Sequence, residues 1–116
     1  MTRLIDTSAL ERALEEFAKA RDWEQFHSPK NLAMALTGEV GELVELFQWL
    51  TEAQSRAAMK DPVQAQRIRE EMADVMLYLV RMATVLGVNL DEAAREKMRT
   101  NGVKYPPTLM VDARKP

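Results

Sequence analysis

SPKNLAMALTGEVGELVELFQWL, residues 28–50, reads as a long helix and sets the frame for the rest of the chain. Ser28 suits the N-cap and Pro29 the first helical position, where its missing N–H is no loss. At 100° per residue, Leu32, Leu36, Leu43, Leu46 and Leu50 align in one apolar stripe. Glu39 falls in the middle of that stripe, where a leucine is expected. Glu42 lies on its flank one turn away, and Trp49 shares Glu42's side two turns further on. Gly38 and Gly41 interrupt the helix beside the acidic pair. Glycine in a helix interior costs about 1 kcal/mol relative to alanine. Two of them here predict the close approach of another backbone or of a ligand.

A second stretch, IREEMADVMLYLVRMATVLG (residues 68–87), poses the same problem. Ile68, Val75, Tyr78, Met82 and Val85 form its stripe, with Glu71 at the centre and Asp74 on the flank. An isolated ionised carboxylate moved into an apolar interior costs on the order of tens of kcal/mol, so it is protonated, paired or metal-bound. If the two stripes face each other, four carboxylates converge: Glu39, Glu42, Glu71 and Asp74. An all-oxygen donor set of this kind suits Mg²⁺, with Mn²⁺ as a substitute.

Composition narrows the alternatives. A chain of 116 residues is one domain, with an ordered core expected over about 8–106. The net charge of -2 comes without a basic patch, which argues against nucleic acid as partner. There is no cysteine, hence no disulfide, thiol catalysis or zinc–thiolate site, and the single histidine excludes a His-rich metal site. No apolar run approaches the roughly 20 residues that a membrane span needs, and no signal peptide is visible, so a cytoplasmic location is the default expectation.

The remaining elements follow from their caps. Loose first residues lead to a helix from Ser8 to about Arg21, opened by a Ser8/Glu11 capping box and burying Leu10, Ala13, Leu14 and Phe17. The connector RDWEQFHSP gathers Trp23, Phe26 and His27. Residues 51–61 read as a loop or short helical turn. Asp61-Pro62 opens the third long helix, which Gly87 closes. Asn89 with Glu92 starts a shorter helix that ends at Asn101-Gly102, followed by an extended tail with a disordered end. No strand or repeat is predicted. The fold class is all-α, four-helix bundle-like. The third long helix is apolar on all sides around VMLYLV, which predicts contact with a second subunit. Met34, Met72, Met76 and Met82 read as core filler.

The arrangement ExxE, 28 intervening residues (43–70) and ExxD resembles the MazG-like all-α nucleoside-triphosphate pyrophosphatases. WEQFHSPKNLAMALTGEVGELVELFQW and the closing KYP narrow the likeness to the dCTP pyrophosphatase type, over about residues 9–106. The resemblance implies a MazG-type helical core, assembly into dimers or a dimer of dimers, and Mg²⁺ held by Glu39, Glu42, Glu71 and Asp74. It implies hydrolysis of a (deoxy)nucleoside triphosphate, dCTP or a related pyrimidine nucleotide, to the monophosphate and pyrophosphate. Trp23, Glu24, Gln25, Phe26, His27, Trp49 and Tyr78 match positions that line the nucleotide pocket. The chain departs from vertebrate relatives at Leu14, where they carry a histidine.

The residues themselves support such chemistry. Triphosphate hydrolysis needs charge neutralisation and a water placed in line, which carboxylate-held Mg²⁺ supplies. Glu42 and Glu45 are the candidate general bases. Trp23, Phe26, His27 and Trp49 are candidates for stacking a base, worth roughly 1–3 kcal/mol per base. Arg81, two turns from Asp74 on the same side, would pair with a carboxylate or a phosphate. Lys97 and Asn101, at i, i+4 on the last helix, would hold phosphates. Glu42 and Trp49, about 10 Å apart along one helix, would place the α-phosphate at the acidic cluster. The rival expectation is a non-catalytic helical oligomer that binds a nucleotide or another protein.

Overall fold

The computed structural model describes residues 2–107, in which no strand forms. Helix α1 spans Ser8–Ala20, α2 Pro29–Glu45, α3 Glu52–Arg56, α4 Pro62–Leu86 and α5 Leu90–Lys104. Short 3-10 turns at Glu24–Phe26 and Ala58–Lys60 sit in the connectors. The expected caps close most ends. Ser28 accepts from the Asn31 N–H, Asp61 from Val63 and Gln64, and Asn89 from Glu92. Gly87 ends α4 in the left-handed region at φ 72°.

Helices α2 and α4 form the central pair, with α1 laid on α4. They run antiparallel. Leu46, just past the end of α2, packs with Ala58 and with Ile68 near the start of α4, and the Gln64 side chain donates to the Leu46 carbonyl. At the far end Leu32 of α2 shares a pocket wall with Leu77 and Arg81 of α4. Between these ends the two acidic pairs meet.

Several boundaries differ from the sequence expectation. Thr7, not Ser8, occupies the α1 N-cap; its hydroxyl donates to the Glu11 carboxylate, while Asp6 accepts the Ser8 N–H. Along α1 the fully buried residue is Ala18, and Ala13 is exposed. Helix α2 stops at Glu45 rather than Leu50. Three-residue hydrogen bonds, Leu46 N–H to Leu43 and Phe47 N–H to Val44, tighten the chain so that Leu46, Phe47 and Leu50 fold inward onto Ala58 and Ile68. Thr51 and Gln54 then cap α3 reciprocally. Helix α5 runs through Gly102 to Lys104, since a glycine in an exposed final turn is tolerated. Leu4 and Ile5, expected to be loose, are tied down: their N–H groups donate to Asp91 Oδ1 at 2.6 and 3.0 Å, and Arg95 holds Oδ2. The expected disordered end, 108–116, lies outside the described residues.

Gly38 and Gly41 face open space; a Cβ at either meets nothing within 4 Å, so no backbone of this chain approaches them closely. Met34, Met72 and Met76 are not core filler either. They are 64, 58 and 57 % exposed, while Met82 is half-buried. Four long helices are present, yet α5 leaves α4 at 102°, buries none of its residues and packs closely on no other helix. The radius of gyration is 17.4 Å, against about 13 Å for a compact domain of this length. No single helix is long and apolar enough to cross a membrane.

Two glycine substitutions separate backbone strain from packing. Gly87→Ala forces an L-residue into the left-handed region and lowers unfolding stability by roughly 1–2 kcal/mol. Gly38→Ala, in a helix interior with open space around it, raises the stability of the metal-free protein by up to about 1 kcal/mol. Urea denaturation of both variants checks the pair.

Candidate active site

The antiparallel pairing of α2 and α4 brings the two acidic motifs together. Carboxylate oxygens of Glu39, Glu42 and Glu71 lie within 4.8 Å of one another. Asp74, one turn past Glu71, stands beside them, and its charge acts on both Glu39 and Glu71. Glu45 is exposed on the last turn of α2 and outside the convergence. The helix wheel holds: Leu32, Leu36, Leu43 and Leu46 flank Glu39 on the inward stripe, and Glu42 sits at its exposed edge.

Two observations show that this cluster suits a cation. Glu39 Oε2 and Glu71 Oε2 are buried and have no hydrogen-bond partner, a costly state for a carboxylate oxygen. Both acids are also pushed towards their neutral forms. Burial, with the carboxyls of Glu42, Asp74 and Glu71 around it, raises Glu39 to about 7. Hydrogen bonding to Glu42, burial and the neighbouring charges raise Glu71. A divalent cation bound among hard oxygens relieves both the missing partner and the mutual repulsion.

Next to the cluster lies a pocket of about 190 Å³, lined by Leu14, Phe17, Trp23, His27, Leu32, Asp74, Leu77, Tyr78 and Arg81. Asp74 belongs both to this pocket and to the edge of the acidic cluster. Trp23 is held edge-on against Phe17, ring centres 5.7 Å apart at 65°, and the Arg21 guanidinium covers the Phe17 ring at 3.4 Å. Arg81 donates from Nε to His27 Nδ1 at 3.1 Å. Burial and the adjacent guanidinium hold the His27 imidazole below its ordinary value.

Of the residues read from the sequence, Trp23, His27, Tyr78, Arg81 and Asp74 share this pocket. Arg81 meets an imidazole there and makes no ion pair with a described residue. Glu24, Gln25 and Phe26 form the exposed turn above; Gln25 bonds back to Asp22, and the Phe26 carbonyl accepts from Asn31. Trp49 lies beyond the end of α2, 86 % exposed and outside the pocket lining, so the helical ruler joining it to Glu42 does not exist within the chain. Lys97 and Asn101 ride on the projecting α5, away from the lining. Missed as walls were Phe17, Leu32 and Leu77. They read as plain core residues, and only the tertiary fold sets them around an opening.

Antiparallel helices carrying ExxE and ExxD, facing each other beside an aromatic pocket, define an all-α domain with a paired acidic cluster. The chain belongs to the MazG-like family, whose pattern matches residues 35–109. Over 97 residues, 84 % of its length, it is 47 % identical to dCTP pyrophosphatase 1 of Rattus norvegicus, and over 100 residues it is 46 % identical to that of Homo sapiens. These matches cover 57 and 59 % of the relatives, so the chain spans a little over half of their length. A crystal structure of a pyrophosphatase from Archaeoglobus fulgidus superposes with a TM-score of 0.81 at 34 % identity, covering 92 % of this chain and 98 % of that one.

The raised Glu39 carboxyl gives a pH signature. Its folded value of about 7 lies above the ordinary 4.5. The stability it contributes is therefore full below about 4.5 and is lost as pH rises through 7. His27, shifted down, loses stability as pH falls below 6.5 and partly offsets this. The difference between wild type and Glu39→Gln isolates the carboxyl. In metal-free protein the melting temperature of wild type relative to the variant should fall from pH 5 to pH 8. Added Mg²⁺ or Mn²⁺ should reverse that loss at pH 8 in wild type.

Proposed function

We propose that the chain hydrolyses a deoxynucleoside triphosphate, dCTP or a related pyrimidine nucleotide, to the monophosphate and pyrophosphate. The observation that carries this reading is the pair of buried, partnerless oxygens on Glu39 and Glu71, set beside a pocket that shares Asp74 with their cluster. Relatives named dCTP pyrophosphatase 1 and a neighbour named a pyrophosphatase support it.

Glu39, Glu42, Glu71 and Asp74 would hold Mg²⁺, or Mn²⁺ in its place. Bound there, the ion supplies Lewis acidity to the phosphates and a more acidic water. Trp23 and Phe17 offer aromatic surface to the base, and Leu14, Leu32 and Leu77 exclude water around it. A base in this pocket puts the first phosphate, joined through the sugar, nearest Asp74 and the cluster. Attack then falls on the α-phosphorus. A water oxygen bonds to it, the bond to the bridging oxygen breaks, and that electron pair leaves with pyrophosphate. The water's proton passes to a carboxylate at the open edge, Glu42 or Glu45. In heavy-oxygen water the label should appear in the monophosphate, and mass spectrometry reads it. Release of inorganic phosphate with a diphosphate product would contradict this assignment. Glu71→Gln should lower turnover by more than about 100-fold, beyond the roughly 10–100-fold cost of losing a ligand's hydrogen-bond partner, while circular dichroism stays unchanged.

The working form proposed is an oligomer of this chain, in the cytoplasm. Met72, Met76 and Leu79 form an exposed apolar face on α4, Met34 and Val44 do so on α2, and Met98 and Val103 on α5. Together with the expanded outline, these faces support a second copy as their cover. Such a copy would also bring Trp49, Lys97 and Asn101 within range of a pocket that their own chain does not reach. Sedimentation at micromolar concentration should show a species of at least twice 13.2 kDa; a pure monomer would contradict the assembly.

A further inference from the structure

Among the described residues Arg81 is the buried charged side chain, 8 % exposed, and the carboxylate in its pocket, Asp74, is not in ion-pair contact with it. Its one hydrogen bond is from Nε to His27 Nδ1, and it makes no ion pair with a described carboxylate. A guanidinium carries five N–H donors in a fixed fork and no acceptor. One donor is spent on His27. The terminal nitrogens are not among the sealed, partnerless atoms, and Arg81 lines the pocket; its free donors therefore face that space. A buried cation with spare donors and no contacting carboxylate is a costly arrangement unless a ligand completes it.

The bond to His27 fixes a second donor. Arg Nε can only donate, so His27 Nδ1 is the bare, accepting nitrogen. The neutral ring then carries its proton on Nε2. The remaining walls from Leu14, Phe17, Leu32 and Leu77 offer no polar group. At this end the guanidinium, His27 Nε2–H and the Trp23 indole N–H can only donate, the Tyr78 hydroxyl can donate or accept, and the accepting Asp74 carboxylate lies at the opposite, cluster end of the pocket. Arg81 also lies seven residues beyond Asp74 on α4, about 10 Å further along the axis at 1.5 Å per residue. The phosphates belong at the carboxylate cluster, so the group that reaches Arg81 is the opposite end of the nucleotide.

We infer that Arg81, steadied by His27, is a specificity-determining residue that reads the base and selects cytosine over uracil and thymine. This rests on the nucleotide pyrophosphatase reading of the same site. A guanidinium fork matches two adjacent acceptors. Cytosine presents N3 and O2 side by side as acceptors. Uracil and thymine carry a hydrogen on N3, so one prong of the fork meets a donor. A bidentate pair of this kind discriminates by about 10–100-fold.

The test uses the full chain with Mg²⁺ and compares kcat/KM for dCTP, dUTP and 3-deaza-dCTP, in which N3 is replaced by C–H. Wild type should prefer dCTP over both by at least about 10-fold. Arg81→Gln should collapse the dCTP:dUTP ratio towards unity. It should also weaken calorimetric binding of 2′-deoxycytidine, which has no phosphate, by a similar factor. The substrate series needs no variant, so it can overturn the inference even if Arg81→Gln fails to fold. Equal turnover of 3-deaza-dCTP and dCTP would overturn the inference. So would an equal loss on dCTP and dUTP with deoxycytidine binding intact, since the guanidinium would then be holding phosphate. Wild type that cleaves no triphosphate defeats the pyrophosphatase reading by itself; the deoxycytidine arm still decides the role of Arg81.

Discussion

The structure depends on carboxylates placed where a helix pair would otherwise bury leucine. Glu39 and Glu71 occupy the inward stripes of α2 and α4, and their Oε2 atoms are sealed without partners. Without a cation, burial and mutual repulsion push both towards protonation. The seam that joins the two halves of the domain is therefore also where its acidic cluster forms. Leu46, Ala58 and Ile68 anchor one end of that seam, and Leu32 and Val80 are buried towards the other. The apolar anchors keep α2 and α4 in register, which lets an unfavourable cluster persist between them.

Much of this was legible because one period governs it. The 3.6-residue repeat placed Glu39 and Glu71 in apolar stripes, and Ser28, Asp61, Gly87 and Asn89 gave the boundaries of their elements by cap chemistry alone. The reading failed where the period carries no information about direction. FQWL continues the α2 stripe perfectly well as a helix; the chain turns at Leu46 because Phe47 and Leu50 gain more by packing on Ala58 and Ile68. The methionines failed for another reason. Their apolarity is legible, but which body covers them, their own chain or another, is not a local property.

The pocket was half visible. Trp23 and His27 stand out by residue type, and Tyr78 by its place on the α4 stripe. Arg81 also stood out, but not its bond to His27, because i, i+7 spacing points it along α4 towards Asp74 and says nothing of a loop 54 residues earlier. The Arg81–His27 bond ties the connector that carries Trp23 to α4, the helix that carries one half of the acidic seam. Phe17 and Leu14 complete the pocket through α1, which lies on α4.

Helix α5 shows how the domain divides its tasks. The seam satisfies α2 and α4 on one side only, and their other faces keep Met34, Val44, Met72, Met76 and Leu79 in the open. Nothing in those faces fixes α5. Its direction is set at its first turn, where Gly87 allows the reversal, Asn89 caps the start, and Asp91 is clasped by the Leu4 and Ile5 amides and by Arg95. A helix aimed from its base and left bare along its length contributes little to its own chain. Its half-buried residues lie mainly in the first two turns, and the same bend that denies α5 a place on α4 carries Lys97 outward.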